Sequence, residues 1–406
     1  MRRHNLFIVL IIFLFIYQPP ILSVNVLHII GVFSWMYIIL NNKLVSKVIN
    51  FNTVLKIYII LIFFWIYLVI VTLFNENSIL NTFDFLYWMF EILPICIMLC
   101  VHFSRKKYSI YDFINILLIV GTIQGVAALS AFFVPSIKDS FVNLLVNYGY
   151  SAIDLASIRM FGIASNLTFS TPILQSVLAS LSIYLAINKR WNYIFFAPLL
   201  FFSAIINART SFIIIAIGLL AIIIASKRLN FNNFIRVAIT GVVLVISINF
   251  GSSLLEENST ETFDWIVTGY NEIVDLFKEG PNQTEGYFSY INSSERYILP
   301  DGFGILFGVG ERILKANNYG VRSDIGYVND IWLGGIFYSI FIYLFLILII
   351  YKIGRSIFID IRLAKFISIL LFGTFLFSNI KGYIFTMNNM TNLLFLIFAF
   401  LVLKKN

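Results

Sequence analysis

Apolar runs of membrane-crossing length follow one another along nearly the whole chain, and no other feature restricts its fold as much. About 17–25 apolar residues in a helix cross about 30 Å of hydrocarbon. Runs of this kind, some shorter, fall at 6–17, 21–40, 54–74, 83–101, 110–134, 167–187, 193–206, 210–225, 234–250, 327–351, 363–377 and 384–403. Backbone N–H and C=O groups in lipid must pair within their own segment, so each run reads as a helix. A membrane barrel would show short alternating segments instead. With 60% hydrophobic and 12% charged residues, the chain has too much apolar surface for a water-soluble domain. The expected fold is an all-α polytopic membrane protein with about 12 transmembrane helices. Residues 1–250 hold the first nine helices with an outer loop at 135–166. A large, partly helical extracytoplasmic insert fills 251–326, and 327–406 hold the last three helices.

Met1-Arg2-Arg3 before the first run resembles the start of a secretory signal. Gln18-Pro19-Pro20 follows in place of a small-residue cleavage site, so the run is read as a retained helix, tilted or partly interfacial. Orientation follows from lysine and arginine, which favour the cytoplasmic side. With the N-terminus inside, only Lys138, Arg159, Arg209, Lys278, Arg296, Arg312, Lys315, Arg322 and Lys381 of the 28 basic residues fall outside. Both termini are then cytoplasmic. The net charge of +8 is a topology signal rather than a nucleic-acid patch.

The insert opens with Phe263, Ile266, Val267, Tyr270, Ile273, Val274 and Phe277 at helical spacing. Asn258 and Glu261 suit its start and Gly280-Pro281 its end, and such a helix would lie on the bundle or the bilayer. A second short helix is expected from Glu295-Arg296-Tyr297, bent near Pro300 and running out into Phe307-Gly308-Val309-Gly310.

Five of the outer cations are arginines, and Arg209 stands out because a tight turn between two apolar runs confines it. A guanidinium presents planar donors suited to phosphate, and several converging at a membrane face would hold a lipid-borne pyrophosphate. The alternative is that each arginine reaches to lipid phosphates or pairs with an acid. Asp324 and Asp330 stand at the entry to the run at 327, where a carboxylate could orient or deprotonate a sugar hydroxyl, or cap the helix. Glu91 lies inside a run, as a functional acid or the partner of an arginine. Cys96 and Cys100 read as small packing residues on one helix face. His4, His28 and His102 are placed so that no outer metal cluster or histidine triad forms. Gly302-x-Gly304-x-x-x-Gly308 follows no strand and is no nucleotide loop, so no cofactor is expected.

Three stretches carry a family resemblance: Ser203 to Ser211 around Arg209, Ser294-Glu295-Arg296 with Leu306 to Gly310, and Ser323-Asp324-Ile325-Gly326-Tyr327 through Gly334-Gly335. Arg159-Met160-Phe161-Gly162 adds a fourth. Together they resemble the bacterial polysaccharide repeat-unit polymerases (Wzy type), relatives of the O-antigen ligases. The resemblance implies transfer of a growing glycan from undecaprenyl pyrophosphate to a hydroxyl of another lipid-linked unit, at the outer face of the cytoplasmic membrane. It implies neither metal nor nucleotide. It makes Arg209, Arg296 and Asp324 catalytic candidates, with Glu295 as the other possible base. Arg159, Arg312, Arg322, Tyr327 and Asp330 become substrate-binding candidates. The implied partners are the lipid-linked glycan, the bilayer, a chain-length regulator and a flippase, with no nucleic acid. The ligases carry a histidine in the large outer loop and this chain has none there. A flippase and a ligase stand as the alternative functions.

Overall fold

The structure is a computed structural model that describes residues 6–20, 25–147, 159–160, 162–165, 169–226, 296–313, 322–382 and 388–405, with isolated positions between 267 and 278. Among them the elements are helical and no strand forms. They are α1 (Leu6–Tyr17), α2 (Val26–Leu40), α3 (Asn42–Val48), α4 (Phe51–Phe74), α5 (Ile79–Arg105), α6 (Ile110–Phe133) and α7 (Pro135–Asn147). There follow α8 (Ser170–Asn188), α9 (Trp191–Ile205), α10 (Thr210–Ala225), α11 (Phe303–Phe307), α12 (Gly326–Gly354), α13 (Ile361–Lys381) and α14 (Asn389–Leu403).

Six of these, α4, α5, α6, α8, α12 and α13, are long and apolar enough to cross a membrane. The pair α2 and α3, bent by 91°, makes a seventh if taken as one span, and α1, α9, α10 and α14 are shorter apolar helices. The chain is therefore a multi-pass helical membrane protein, with six or seven full-length spans among the described residues, a count that does not confirm the expected twelve. The run at 234–250, the amphipathic stretch at 263–277 and Glu295 lie outside the described residues.

The chain divides into two compact units. The first comprises Met1–Ile29, Tyr108–Asn271 and Phe358–Thr374; the second comprises Ile30–Lys107, Glu272–Ile357 and Phe375–Asn406.

In the first unit α8 is the core, buried along its length and packed on α6, α9 and α10. Enclosure by protein lets it carry serines, two of which donate to a carbonyl one turn back. Ser176 Oγ donates to Pro172 O and Ser180 Oγ to Ser176 O, both at 2.9 Å. Gln175 Nε2 crosses to Gly121 O on α6 at 3.1 Å. At one end Lys189 lies 4.1 Å from the centre of the Tyr111 ring, and Lys365 Nζ donates to Ile224 O at 3.1 Å. The start of α6, the ends of α8 and α10 and the start of α13 therefore share this basic end. Ser109 and Asp112 close a capping box at the start of α6.

The second unit is organised by a break in α12. Gly335 takes φ +76°, a left-handed conformation that glycine adopts without steric cost. The break frees carbonyls that lipid cannot satisfy. The loop after α11 fills it: Val309 N donates to Trp332 O at 2.8 Å and Gly310 N to Leu333 O at 3.1 Å. Tyr67 Oη of α4 donates to Gly334 O at 2.9 Å. The approach is so close that a Cβ on Gly308 would stand 2.6 Å from the Gly334 backbone. Asn77 and Asn81 hold the Val309 and Gly310 carbonyls at 2.6 and 3.1 Å.

A π-turn at Trp88–Ile92 interrupts α5 in a similar way. Tyr58 Oη donates to Met89 O at 2.8 Å, and Trp35 Nε1 donates to Phe90 O at 2.9 Å. Glu91 sits half-buried in this turn, with Gly31 opposite its side chain. Cys96 and Cys100 are free and buried, as their apolar surroundings suggest, and Cys100 Sγ contacts Ala399 O at 3.3 Å. Asn50 N bonds Leu403 O and Ser356 Oγ bonds Leu401 O, both at 2.7 Å. That end of the unit gathers Lys47, Arg355 and Lys404.

Candidate functional site

At the other end of the first unit, away from Lys189 and Lys365, the structure brings Arg159 and Arg209 together. Arg209 ends the short turn between α9 and α10, and Asn207 in that turn makes the link. Its Nδ2 donates to Met160 O and to Ser203 O, both at 2.8 Å. The first bond clips the Arg159–Met160 strand of chain onto the turn. Met160 packs with Phe132 and Ile206 in a small apolar cluster, flanked by Leu129 and Phe202. Burying a side chain of that size stabilises the arrangement by about 1.5–3 kcal/mol. Gly162 then turns with φ +63°, and any Cβ there would stand 2.9 Å from the Ala128 backbone. Ser165 N reaches Tyr17 O at 3.2 Å, which fastens the far end of the segment to α1.

Two positive charges meet in this corner. Burial, and then the charge of Arg209, hold the proton affinity of Arg159 below that of an ordinary arginine. The two cations are thus partly desolvated and repel one another. Both α8 and α10 begin here, so two helix N-termini add partial positive charge. Tyr17 Oη, Ser170 Oγ, Asn207 Oδ1 and Thr210 Oγ1 are buried at this end and have no hydrogen-bond partner among the described residues. Buried polar atoms are nearly always paired. Three of these four are hydroxyls able to donate to a bound oxyanion.

The other predicted site residues belong to the second unit and fall into three settings. Arg296, Arg322 and Asp324 cluster at the entry to α12. Ser323 Oγ donates to Arg296 O at 2.7 Å and accepts from Ile325 N at 3.2 Å. Asn329 Nδ2 spans the carbonyls on either side of Asp324, reaching Ser323 O at 2.8 Å and Ile325 O at 2.9 Å. Arg322 is exposed, while Arg296 and Asp324 are half-buried. Arg312 instead forms an ion pair with Asp84 at 2.9 Å. Tyr327 directs its hydroxyl to Leu376 O at 2.7 Å and stacks on Tyr343 at 5.4 Å. Asp330 is fully buried: Tyr343 Oη donates to its Oδ2 at 2.7 Å and Asn379 Nδ2 at 3.0 Å, and Asn379 also contacts the Tyr343 hydroxyl. Asp330 is therefore enclosed, and Arg312 and Tyr327 are partly buried with their polar ends engaged.

Sequence reasoning passed over Asn207, Asn329 and Asn379, the amides that tie these settings together. Their one signal was an asparagine within or beside an apolar run, where an amide must find partners inside the protein. No protein-family model, no curated protein and no solved structure matches this chain.

Proposed function

We propose that this chain polymerises undecaprenyl-pyrophosphate-linked oligosaccharide repeat units at the outer face of the cytoplasmic membrane. The observation that carries the reading is the Arg159–Arg209 pair, set at one end of a membrane bundle with buried hydroxyls that have no partner among the described residues. The two guanidiniums bring like charge to one partly buried corner. They suit a diphosphate, whose charge rises as the bond from its oxygen to the anomeric carbon breaks. The acceptor hydroxyl attacks that carbon with inversion, the lipid pyrophosphate leaves, and the hydroxyl proton passes to a carboxylate. The lipid-linked donor supplies the driving force.

A flippase would suit the break in α12, since discontinuous helices line many transport sites. Here the freed carbonyls are already bonded to the 308–310 loop and Tyr67, which leaves them unavailable to a passing ion. The test is Arg209→Ala in cells that depend on this chain. Long glycan should vanish, single repeat units should reach the final acceptor, and protein level should hold. Wild-type chain length at normal expression would remove Arg209 from the site. Units trapped on the cytoplasmic side would favour the flippase, and finished polymer left on the carrier would favour the ligase.

A further inference from the structure

Between Asp301 and Glu311 the second unit carries a charge-free segment in which Phe303, Leu306 and Phe307 point out of the fold while Val309 is buried. Phe303 is 81% exposed, Phe307 45% and Leu306 40%. This is not a loose tip. The Phe307 carbonyl accepts from Tyr67 Oη at 3.1 Å, and the next residues are bonded into the break of α12. A rigid backbone that holds large apolar groups outward needs an apolar medium to face.

What covers them can be read from continuity. Beyond its break, α12 turns Phe337, Ile340, Phe341, Leu344, Ile347 and Leu348 outward, each 43–53% exposed. Their spacing of three and four residues makes one stripe along a span, which is the face a bundle helix offers to lipid. Phe307 packs on the first member of that stripe, with ring centres 5.6 Å apart. The α11 side chains therefore extend the lipid-facing stripe past the break, with no polar side chain between. On the inner side, Trp332 is buried against Val309, Ile313, Ile325 and Val328, and its Nε1 donates to Ile298 O at 2.8 Å.

We infer that α11 and its flanks dip into the acyl-chain zone of the bilayer, so that this part of the insert is a membrane-inserted wedge. The occupant of the surface is lipid hydrocarbon. Through Ser323, which joins Arg296 to the entry of α12, the wedge holds Arg296 and Asp324 at headgroup depth. The inference rests on the membrane spans and not on glycosyl transfer, so each can fail without the other.

Cys96 and Cys100 are buried, so single cysteines can be spin-labelled over a quiet background. The protein is reconstituted into phosphatidylethanolamine–phosphatidylglycerol vesicles with Phe303→Cys or Leu306→Cys. Ile340→Cys serves as the lipid reference and Lys43→Cys as the aqueous one. Collisions with oxygen should exceed those with a water-soluble nickel chelate at both 303 and 306, as at 340. Nickel collisions prevailing at both, as at 43, would overturn the inference. So would low rates for both relaxants, because protein would then cover the face, from this chain or a second copy. Leu306→Cys keeps the test decisive if Phe303→Cys does not fold.

Discussion

Replacing Asn207 by alanine should loosen the Arg159 segment while leaving the bundle intact. The side chain makes two hydrogen bonds of 2.8 Å, to Met160 O and Ser203 O, in a site where Asn207 itself is 3% exposed. Each such bond contributes about 1 kcal/mol net, and a buried carbonyl left unpaired costs about 1–3 kcal/mol. Only the Met160 bond crosses to another segment, so the loss there is about 2–4 kcal/mol with relaxation included. Exchange of a protected amide scales with the opening constant, and about 1.4 kcal/mol is tenfold. The Ser165 amide, bonded to Tyr17 O at the far end of the clipped segment, is the reporter. Its exchange should quicken by about 30- to several-hundred-fold in Asn207→Ala. Ser211→Ala is the control: its hydroxyl bonds Ala204 O at 3.0 Å within the same turn but does not touch the segment. It should leave Ser165 unchanged. Ser165 protection unaltered in Asn207→Ala would refute the reasoning and show that Met160 packing and the Gly162 turn suffice.

Gly335→Ala should fail to fold or lose at least ~3 kcal/mol, since its Cβ would stand 2.2 Å from Leu306 O at φ +76°; folded yield by size-exclusion chromatography decides, and a normal yield counts against the loop-filled break. In a double-mutant cycle, Arg312→Ala and Asp84→Asn should couple by about 1–2 kcal/mol in thermal denaturation, because the pair is only partly exposed; additivity would mean the ion pair contributes nothing. Arg159→Gln should raise the melting temperature of the ligand-free protein by about 2 °C. The sign follows from linkage. A base whose folded proton affinity is lowered disfavours the fold wherever it stays charged, and an arginine stays charged across the accessible pH range, so the penalty is present at neutral pH and does not titrate there. A lower melting temperature would show that the cations are already compensated.

How far the fold was legible depends on what enforced each piece. Lipid enforces helices, so the runs at 6–17 and 210–225 coincide with α1 and α10 residue for residue. The break at Gly335 was not legible, because Gly334-Gly335 in an apolar run reads as continuous helix until the 308–310 loop supplies the missing donors. The outer arginines were separable only in space. Arg159 and Arg312 look alike as outer arginines, yet Arg312 meets an acid 228 residues away and Arg159 meets another arginine. Asp324 and Asp330 likewise share a sequence setting. One helical turn and a half moves the second from a half-buried entry into a closed network with Tyr343 and Asn379.

Binding of undecaprenyl pyrophosphate to the purified protein in nanodiscs, compared with the Arg159→Gln/Arg209→Gln double variant, tests the arginine pair most directly. Saturable binding by the native chain, lost in a double variant that still elutes as a folded species, is the predicted result. Equal affinity in the two proteins would contradict the account, because the diphosphate would then be held by other groups.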